Sequence, residues 1–487
     1  MNPDLTSQKQ FEALPISRMT KLSGWAMYRS AETYVWRPQS SDEVRETLEI
    51  AKDSGRSVIA RGSGYSYGDT ALNSENITID LTRMNKILHW DPQTGVIQIE
   101  PGATIYSLWR QTLPDGWWPT VVPGAMSPTI GGCAAVNAHG KNSWLKGTFG
   151  DAILSFDLLL ANGDLQTVTR ESDPELFHAA IGGLGLLGVM TSVTMQTRKV
   201  PAGYLLSRHY HAQNLDELFD AFEQRLNAQD EYLVGWIDGF ASGASLGRGL
   251  IEAANHPETE DLSTLNPATQ DLSPNIAGIF PRGQMWRIMN PLFHDAPMRL
   301  ANNAQYTMVA KYGASMKKKP MAQFHFFHDY IPNWKKAFAP GGLRQFQMFA
   351  PADSAKTLFR AALQATHDAR IPPYLCVFKR HKTDPFLLRY QSDGYSLSLD
   401  FRVTQSRDVP LQKLLEQLRV LVLENGGNLY MAKDDFLDAA SFEQSVGADR
   451  AAAFREIKDR LDPDWLFQSN LSRRIMPQQS LGEVILA

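Results

Sequence analysis

Cysteine is scarce in this sequence of 487 residues. Cys133 and Cys376 are the only two. One pair is not the framework of several bridges that stabilises small secreted domains. Nothing in the cysteine usage therefore requires an oxidising compartment.

Long hydrophobic runs are also missing. No segment approaches the roughly 18 consecutive apolar residues that a membrane-spanning helix needs, and residues 1–9 are polar, without the apolar core of a secretory signal. We expect a cytoplasmic protein and leave peripheral contact with the inner membrane open. The run of three lysines at 317–319 fits either a solvated loop or a contact with an anionic substrate or a membrane surface.

A strong positive charge is absent as well. The formal net charge is −4, so the chain lacks the basic field that gathers nucleic-acid phosphates, and we exclude nucleic acid as a partner. The composition is that of a soluble globular protein. The length exceeds what one hydrophobic core usually serves, so we expect two domains or more.

Glycine, by contrast, is concentrated in two stretches. Residues 61–69 (RGSGYSYGD) follow a short apolar run, and residues 123–132 (PGAMSPTIGG) lead into 137–142 (NAHGKN). Glycines allow backbone amides to converge on an anion, and two such loops suggest a long ligand with a diphosphate, such as a dinucleotide. Neither loop matches the Rossmann or P-loop fingerprint.

Local patterns predict an α+β fold. Ser40 and Glu43 resemble a capping box before a helix, and an Asn-Gly turn predicts a hairpin between 156 and 168. We read residues 254–283, rich in Pro, Asn, Ser and Asp, as a long loop or a partly disordered insertion. Further elements are predicted as follows: a strand at 184–200, a helix after Asn214, helices at 354–369 and 411–424, and strands at 374–378 and 395–401.

Together these stretches resemble the vanillyl-alcohol oxidase family of flavoproteins, also called the p-cresol methylhydroxylase (PCMH) type. Within that family the resemblance is strongest to the decaprenylphosphoryl-β-D-ribose 2-oxidases, because of HGKN at 139–142 and YMAKD at 430–434. It implies an α+β fold with a two-subdomain FAD-binding domain at 1–202. A substrate-binding domain of a sheet plus helices is inserted at 203–427, and residues 428–487 complete the FAD domain.

The resemblance also implies FAD, lying extended across both glycine loops. Many relatives attach the flavin through a histidine in the first loop, but Tyr65 holds that position here and residues 61–69 contain neither His nor Cys. We therefore predict non-covalent FAD. The residues implied to bind it are Arg61, Gly62, Ser63, Gly64, Tyr65, Ser66, Tyr67, Pro123, Gly124, Thr129, Gly131, Gly132, Asn137, His139, Gly140, Asn142, Gly188 and Lys433.

Three residues are candidates for catalysis: Lys433, Tyr67 and His139. By resemblance, Lys433 lies beside the flavin, where its ammonium stabilises negative charge or polarises the substrate hydroxyl. Without the resemblance these would be an ordinary surface lysine, a packed tyrosine and a structural histidine. Candidate substrate-binding residues are Lys141, Gln345, Gln347, Lys379 and Ser398, and no metal ligand is predicted.

The function implied is oxidation of a secondary alcohol on a sugar, with the 2-hydroxyl of a polyprenyl-phosphate pentose as the first candidate. This would be the first half of an epimerisation in cell wall biosynthesis, completed by a short-chain reductase partner, with quinone or oxygen as the electron acceptor. Two alternatives remain open. One is an aldonolactone or alditol oxidase acting on a soluble sugar or polyol, and the other is a flavin-binding scaffold without turnover.

Overall fold

The computed structural model describes residues 13–276, 278–313 and 315–478. Within these ranges the chain forms three larger sheets and one short ribbon. No helix in the described part of the chain has both the length and the apolar character needed to cross a bilayer.

The first sheet contains β1 (Met19–Ser23), β2 (Ser30–Trp36), β3 (Val58–Arg61) and β4 (Ile77–Asp80), in the order β1-β2-β4-β3. Helix α1 (Ser41–Asp53) connects β2 to β3 and buries Val44, Leu48 and Ala51. The predicted cap is present, because the amide of Glu43 donates to Ser40 Oγ at 3.2 Å. The carboxylate of Glu43 accepts from the amide of Gln39 instead of that of Ser40.

The second sheet contains β5 (Ile87–Asp91), β6 (Val96–Ile99), β7 (Trp117–Pro119), β8 (Ile153–Leu159), β9 (Leu165–Thr169) and β10 (Val189–Lys199). Its order is β5-β6-β10-β8-β9, with β7 paired to β10. Helices α2 (Ile105–Thr112), α3 (Ile130–Ala135), α4 (Ser143–Lys146) and α5 (Pro174–Ala180) lie between these strands in the chain. The predicted hairpin is β8–β9. The predicted strand at 184–200 begins only at Val189, because Leu184 and Gly185 have positive φ.

The third sheet has eight strands. They are β11 (Tyr204–Ala212), β12 (Tyr232–Ile237), β13 (Gly249–Asn255), β16 (Lys317–Pro320), β17 (Leu343–Pro351), β18 (Leu375–His381), β19 (Gly394–Arg402) and β20 (Asn428–Leu429), in the order β16-β11-β13-β12-β18-β19-β17-β20. The separate ribbon is β14 (Asn275–Ile276) with β15 (Phe280–Pro281).

Helices cover one face of the third sheet. These are α6 (Leu215–Asn227), α10 (Ala352–Asp368) and α11 (Asp408–Glu424). Their aromatic contact with the sheet includes Phe219, whose ring lies 5.0 Å from that of Phe378. Helices α7 (Met285–Leu292), α8 (Asp295–Tyr312) and α9 (Met321–His325) belong to the connection between β13 and β17. The helices after Asn214 and at 354–369 and 411–424 are confirmed.

The described residues of region 254–283 form a long connection with short helical turns, which favours the loop over the disordered insertion. Gln270 is buried, donates to the carbonyl of Gly203 and accepts from the amide of Ala322. The polar composition of this region predicted a solvated segment. Composition carries no information about hydrogen bonds to residues far away in the chain, such as those of Gln270.

The C-terminal part, with α12 (Ala439–Val446), α13 (Ala448–Leu461) and α14 (Asn470–Ile475), contacts the first sheet. The amide of Val58 donates to the carbonyl of Leu466 at 2.7 Å, and the amide of Gln468 donates to the carbonyl of Val58 at 2.9 Å. The strand that precedes the first glycine loop is therefore paired with residues far along the chain.

Candidate active site

Two cavities meet at the first glycine loop. The larger encloses about 1350 Å³ of space free of protein atoms, open solvent at its mouth included, and the smaller encloses about 560 Å³. Both are bounded by Ala60, Arg61, Gly62, Thr129, Gly132, Ala135 and Leu184. The two cavities thus form one elongated groove with the glycine loops at its middle.

Glycine is required at two points of the first loop. A Cβ on Gly62 would overlap the hydroxyl of Thr129, so the two glycine loops approach more closely than any side chain allows. Gly64 has φ +74°, a left-handed conformation that a β-branched residue avoids, and a Cβ there would overlap the Arg61 guanidinium. At Gly62 and Gly64 the loop therefore presents backbone, not side chains, to the groove.

Side chains fix the relation between the two loops. The hydroxyl of Ser63 donates to the carbonyl of Ser127 at 2.7 Å. Arg61 donates to the carbonyls of Ala71 at 3.1 Å and Ser23 at 2.8 Å. The hydroxyl of Thr129 caps α3 by accepting from the amide of Gly132. These bonds set the loop shape before any ligand binds.

This groove fits FAD. A dinucleotide needs an extended channel with a narrow backbone-lined centre for its diphosphate, and Gly62, Gly64 and Gly132 line that centre. Aromatic rings border the larger cavity: Trp25 lies 4.6 Å from Tyr67 and 6.1 Å from Tyr65, between ring centroids.

The third sheet supplies the opposite wall of the larger cavity. Alternate residues of neighbouring strands project from the face that the helices leave uncovered, namely Gln345 and Gln347 from β17, Val377 and Lys379 from β18, and Ser396 from β19. The sheet therefore brings together residues from three strands, as the Gln345–Gln347 alternation predicted for one of them.

His139 is held by two polar partners. Its Nε2 lies 3.0 Å from the Gln347 amide and its Nδ1 lies 3.4 Å from Lys379 Nζ. Burial, with the positive charge of Lys379, lowers the pKa of His139 well below its usual value, so the ring is neutral. A neutral imidazole has one donor and one acceptor. Gln347 presents its side-chain nitrogen to Nε2, so Gln347 donates this hydrogen bond, Nε2 accepts it, and the ring proton is on Nδ1.

Lys433 lines the larger cavity. Its Nζ is 3.3 Å from the centroid of the Tyr67 ring, and the amide of Tyr67 donates to the carbonyl of Ala432 at 2.8 Å. Burial lowers the pKa of Lys433, while the nearby Asp400 carboxylate opposes that shift. The first glycine loop and the predicted catalytic lysine are thus in direct contact.

Asp400 is a residue that sequence reasoning missed. It is fully buried, accepts a hydrogen bond from Gln345 through Oδ1, and has no protein partner for Oδ2 among the described residues. Burial raises its pKa to about 7. Ser396, Ser398 and Asp400 alternate along β19, so the same period-two pattern that selected Gln345 and Gln347 could have found it.

The charge of the cavity wall has one sign. Arg61, Lys379 and Lys433 line the larger cavity, and no Asp or Glu among the described residues does. Burial lowers the pKa of Lys379 to about 7. A wall of this kind attracts an anionic ligand although the whole chain carries net negative charge.

Most of the predicted site residues border the groove. The larger cavity is lined by Arg61, Gly62, Ser63, Gly64, Tyr65, Ser66, Tyr67, Pro123, Gly124, Thr129, Gly132, His139, Gln345, Gln347, Lys379 and Lys433, and the smaller by Gly131 and Gly188. His328, Trp25 and Tyr430 also line the larger cavity without having been predicted. Their positions depend on long-range packing that leaves no local signal.

Five predicted residues lie outside this lining. Lys141 donates to the carbonyl of Phe324 and places Nζ 4.1 Å from that ring's centroid. Asn142 donates to the carbonyl of Thr120, Gly140 to Ser143 Oγ, and Asn137 accepts from the amide of Gly150. Ser398 is buried on β19 opposite Gln347. Ser398 is on the same sheet face as Gln347 and Val377, whereas the other four residues are held by hydrogen bonds to neighbouring segments.

Comparison with known proteins places the groove in a family. Residues 33–169, which include the first glycine loop, the second loop and HGKN, match a family described as an FAD binding domain. These residues form an FAD-binding domain of the PCMH type. This flavoprotein is an FAD-dependent oxidoreductase that acts on CH–OH groups.

Relatives of the flavoprotein include sugar oxidases. It is 28% identical over 471 residues to decaprenylphosphoryl-beta-D-ribose oxidase of Mycolicibacterium smegmatis. This alignment covers 93% of this chain and 97% of that protein. It is 27% identical over 477 residues to L-gulonolactone oxidase of Mus musculus, covering 93% and 98%. D-arabinono-1,4-lactone oxidase of Eremothecium gossypii matches at 25% over 244 residues, or 49% of this chain and 45% of that protein.

Proposed function

We propose that this flavoprotein oxidises the 2-hydroxyl of a polyprenyl-phosphate pentose. The observation that carries the proposal is the cationic wall, on which Lys379 and Lys433 both face the larger cavity without a lining carboxylate. A phosphodiester-linked sugar gains from such a wall, whereas a neutral sugar has no use for a second cation. The relative from Mycolicibacterium smegmatis supports this substrate class.

In this proposal the chain's own residues bind and orient the sugar. Gln345, Gln347 and His139 offer hydrogen bonds to its hydroxyls, and Lys379 pairs with its phosphate. Bound FAD supplies the hydride acceptor. Lys433 keeps a positive charge next to Tyr67 and the reacting region, where it stabilises developing negative charge. Asp400 helps to keep Lys433 protonated.

We further propose the domain organisation implied by the resemblance. Residues 1–202 would form an FAD-binding domain of two subdomains, 203–427 an inserted substrate-binding domain, and 428–487 the completing segment. The third sheet, which begins with β11 (Tyr204–Ala212), and the contacts of residues 466–468 with β3 support these boundaries.

The flavin is proposed to be non-covalently bound, since Tyr65 stands in the first loop where relatives carry a histidine. The cavity lining does include Cys133, but burial raises the pKa of its thiol and removes the reactive thiolate. Acid precipitation should leave the yellow flavin in the supernatant. Flavin that stays with the protein pellet contradicts the proposal.

The proposed partners follow from the reaction. The oxidised sugar requires a separate reductase, of the short-chain type in our hypothesis, to complete an epimerisation. The electrons pass to a quinone or to oxygen, and the lipid-linked substrate calls for peripheral contact with a membrane.

A second candidate is an aldonolactone or alditol oxidase, favoured by the lactone oxidases among the relatives. Lys379→Gln distinguishes the two. If the substrate carries a phosphodiester, this variant should raise its KM by at least about tenfold, the effect of one charge-assisted contact. The KM for a free pentose or aldonolactone should stay unchanged. In the control Lys382→Gln, which replaces an exposed lysine, the KM values for the phosphodiester-linked sugar and for the free sugar should both stay unchanged. Efficient turnover of the free sugar with no effect of Lys379→Gln would favour the second candidate.

A further inference from the structure

Exposed apolar side chains are concentrated in one stretch of the chain. Among the described residues, eighteen large hydrophobic side chains are exposed, and ten of these lie between 262 and 327. A soluble surface scatters such residues singly. The concentration therefore marks this stretch as a candidate interaction surface.

Helix α8 shows the pattern most clearly. Its inward side carries Asn302, which donates to Asp238, and Tyr306, whose ring contacts that of His211. The opposite side carries Leu300, Met308 and Tyr312, which are 70%, 60% and 65% exposed. Successive members are eight and four positions apart, so they form an apolar stripe along the outer side of the helix.

Helix α7 repeats the arrangement. Ile288 and Leu292 are exposed and four residues apart, while Met289 packs into the core. The helix is anchored by Asn290, which donates to the carbonyls of Ala337 and Ala339. Two consecutive helices, each anchored to the protein on one side, thus expose apolar residues on the other side.

The same stretch is strongly basic. Residues 275–336 contain nine Lys or Arg and two Asp or Glu, a net charge of +7 in a chain of net −4. Among the described residues only Lys319 of these nine cations has a carboxylate within 4.0 Å. A second copy of this chain would place two such positive surfaces against each other, which charge repulsion opposes.

The basic, apolar surface borders the groove. Phe327 is exposed, and the next residue, His328, lines the larger cavity. His328 stacks on Trp334, at 5.4 Å between ring centroids, in the short helix against which α7 packs. A lipid held at this surface therefore lies near the entrance to the candidate active site.

We propose that α7, α8 and the lysine run at 317–319 form a docking surface for an anionic lipid bilayer. Apolar side chains along amphipathic helices enter the interface, and unpaired lysines and arginines attract anionic headgroups. The inference rests on the membrane contact in the proposed function and names the surface that makes it, and its test is independent of the reaction because vesicle binding requires neither a particular sugar nor turnover.

The test is co-sedimentation of the full-length holoprotein with vesicles. Vesicles of phosphatidylglycerol mixed with phosphatidylcholine should pellet the protein, and vesicles of phosphatidylcholine alone should pellet much less. The triple variant Leu300→Ser, Met308→Ser, Tyr312→Ser should lower partitioning by at least about tenfold, because it removes the inserted side chains. Lys311→Glu with Lys317→Glu and Lys318→Glu should do the same and should reduce the salt dependence.

The matched control replaces exposed apolar residues elsewhere: Leu88→Ser, Leu165→Ser and Val409→Ser. It should bind like the parent protein. All variants should keep their flavin absorbance and thermal midpoint, which separates loss of docking from loss of folding or function.

Three results would overturn the proposal: no binding of the parent protein to anionic vesicles, equal binding to neutral vesicles, or full binding by the Leu300 triple variant. Concentration-dependent dimerisation that this variant abolishes would assign the surface to a second copy instead.

Discussion

At the scale of single residues, Lys433 and Asp400 form an acid–base pair at the candidate active site. One is a half-buried cation against the Tyr67 ring, and the other is a fully buried carboxylate bonded to Gln345. Burial disfavours both charges, and each charge favours the other. The pair titrates as a unit, with macroscopic pKa values that belong to both groups.

Lys433→Ala should retain FAD, because the glycine loops stay intact. Flavin reduction by substrate should slow by about two to four orders of magnitude, the range for one electrostatic or acid–base group. Anaerobic stopped-flow absorbance measures the rate. Lys382→Ala, which removes an exposed lysine, is the control, and an unchanged rate in Lys433→Ala would show that Lys433 does not act at the reacting centre.

Asp400→Asn should move the pH profile of flavin reduction. The rate requires protonated Lys433, so it falls as pH rises through the pKa of that lysine. Removing the Asp400 charge lowers this pKa further, so the fall should begin about one pH unit lower. A profile that is unchanged, or shifted to higher pH, would contradict the pairing. A uniform loss at every pH would indicate a purely structural role for Asp400.

At the scale of elements, the first glycine loop and the C-terminal segment hold the groove together. Close approach of the two loops depends on Gly62 and on the bond between Ser63 and Ser127. The strand before the loop is paired with residues 466–468.

Gly64→Val should lose FAD, since valine is strained at φ +74° and would collide with Arg61. The ratio of flavin absorbance to protein absorbance measures this loss. Gly243→Val is a matched control, because Gly243 also has positive φ but would meet nothing within 4 Å. A fully flavinated Gly64→Val would show that the loop does not cradle the cofactor, and loss of flavin in both variants would point to general backbone strain.

Asp462→Ala should destabilise the C-terminal segment. Asp462 pairs with the buried Lys458 and accepts from the amides of Leu466 and Phe467. Removing it leaves a buried cation without its partner, which typically costs about 3–5 kcal/mol. Urea unfolding measures the loss. The control Glu175→Ala breaks an exposed ion pair with Arg460 and should lower the free energy of unfolding by only about 0–1 kcal/mol. Equal losses in the two variants would show that the buried pair of Asp462 and Lys458 contributes no more to stability than an exposed pair.

At the scale of the whole molecule, local signals predicted elements well and their assembly less well. The Ser40 cap, the Asn214 helix and the Gln345–Gln347 alternation are encoded within a few residues. The proximity of the loop at 61–69 to Lys433 was predicted from the family resemblance and not from local patterns. His328 was missed because its place beside Trp25 depends on residues about 300 positions apart.

The same distinction explains two places where the structure adds contacts that the sequence did not predict. Region 254–283 has a solvated composition, yet Gln270 fastens it to Gly203 and Ala322. Lys141 was expected in the pocket from its place in HGKN, but its Nζ contacts Phe324 outside the cavity lining. In both cases tertiary partners, invisible in the local sequence, decide where a polar side chain lies.

The central claim is tested most directly by anaerobic titration of the holoprotein with a polyprenyl-phosphate pentose, monitored at the visible flavin absorption band. We predict complete bleaching, and a 2-keto sugar as the product. Free pentose at the same concentration should bleach the band far more slowly. No bleaching by the lipid-linked pentose would contradict the account, as would faster bleaching by a free sugar or aldonolactone.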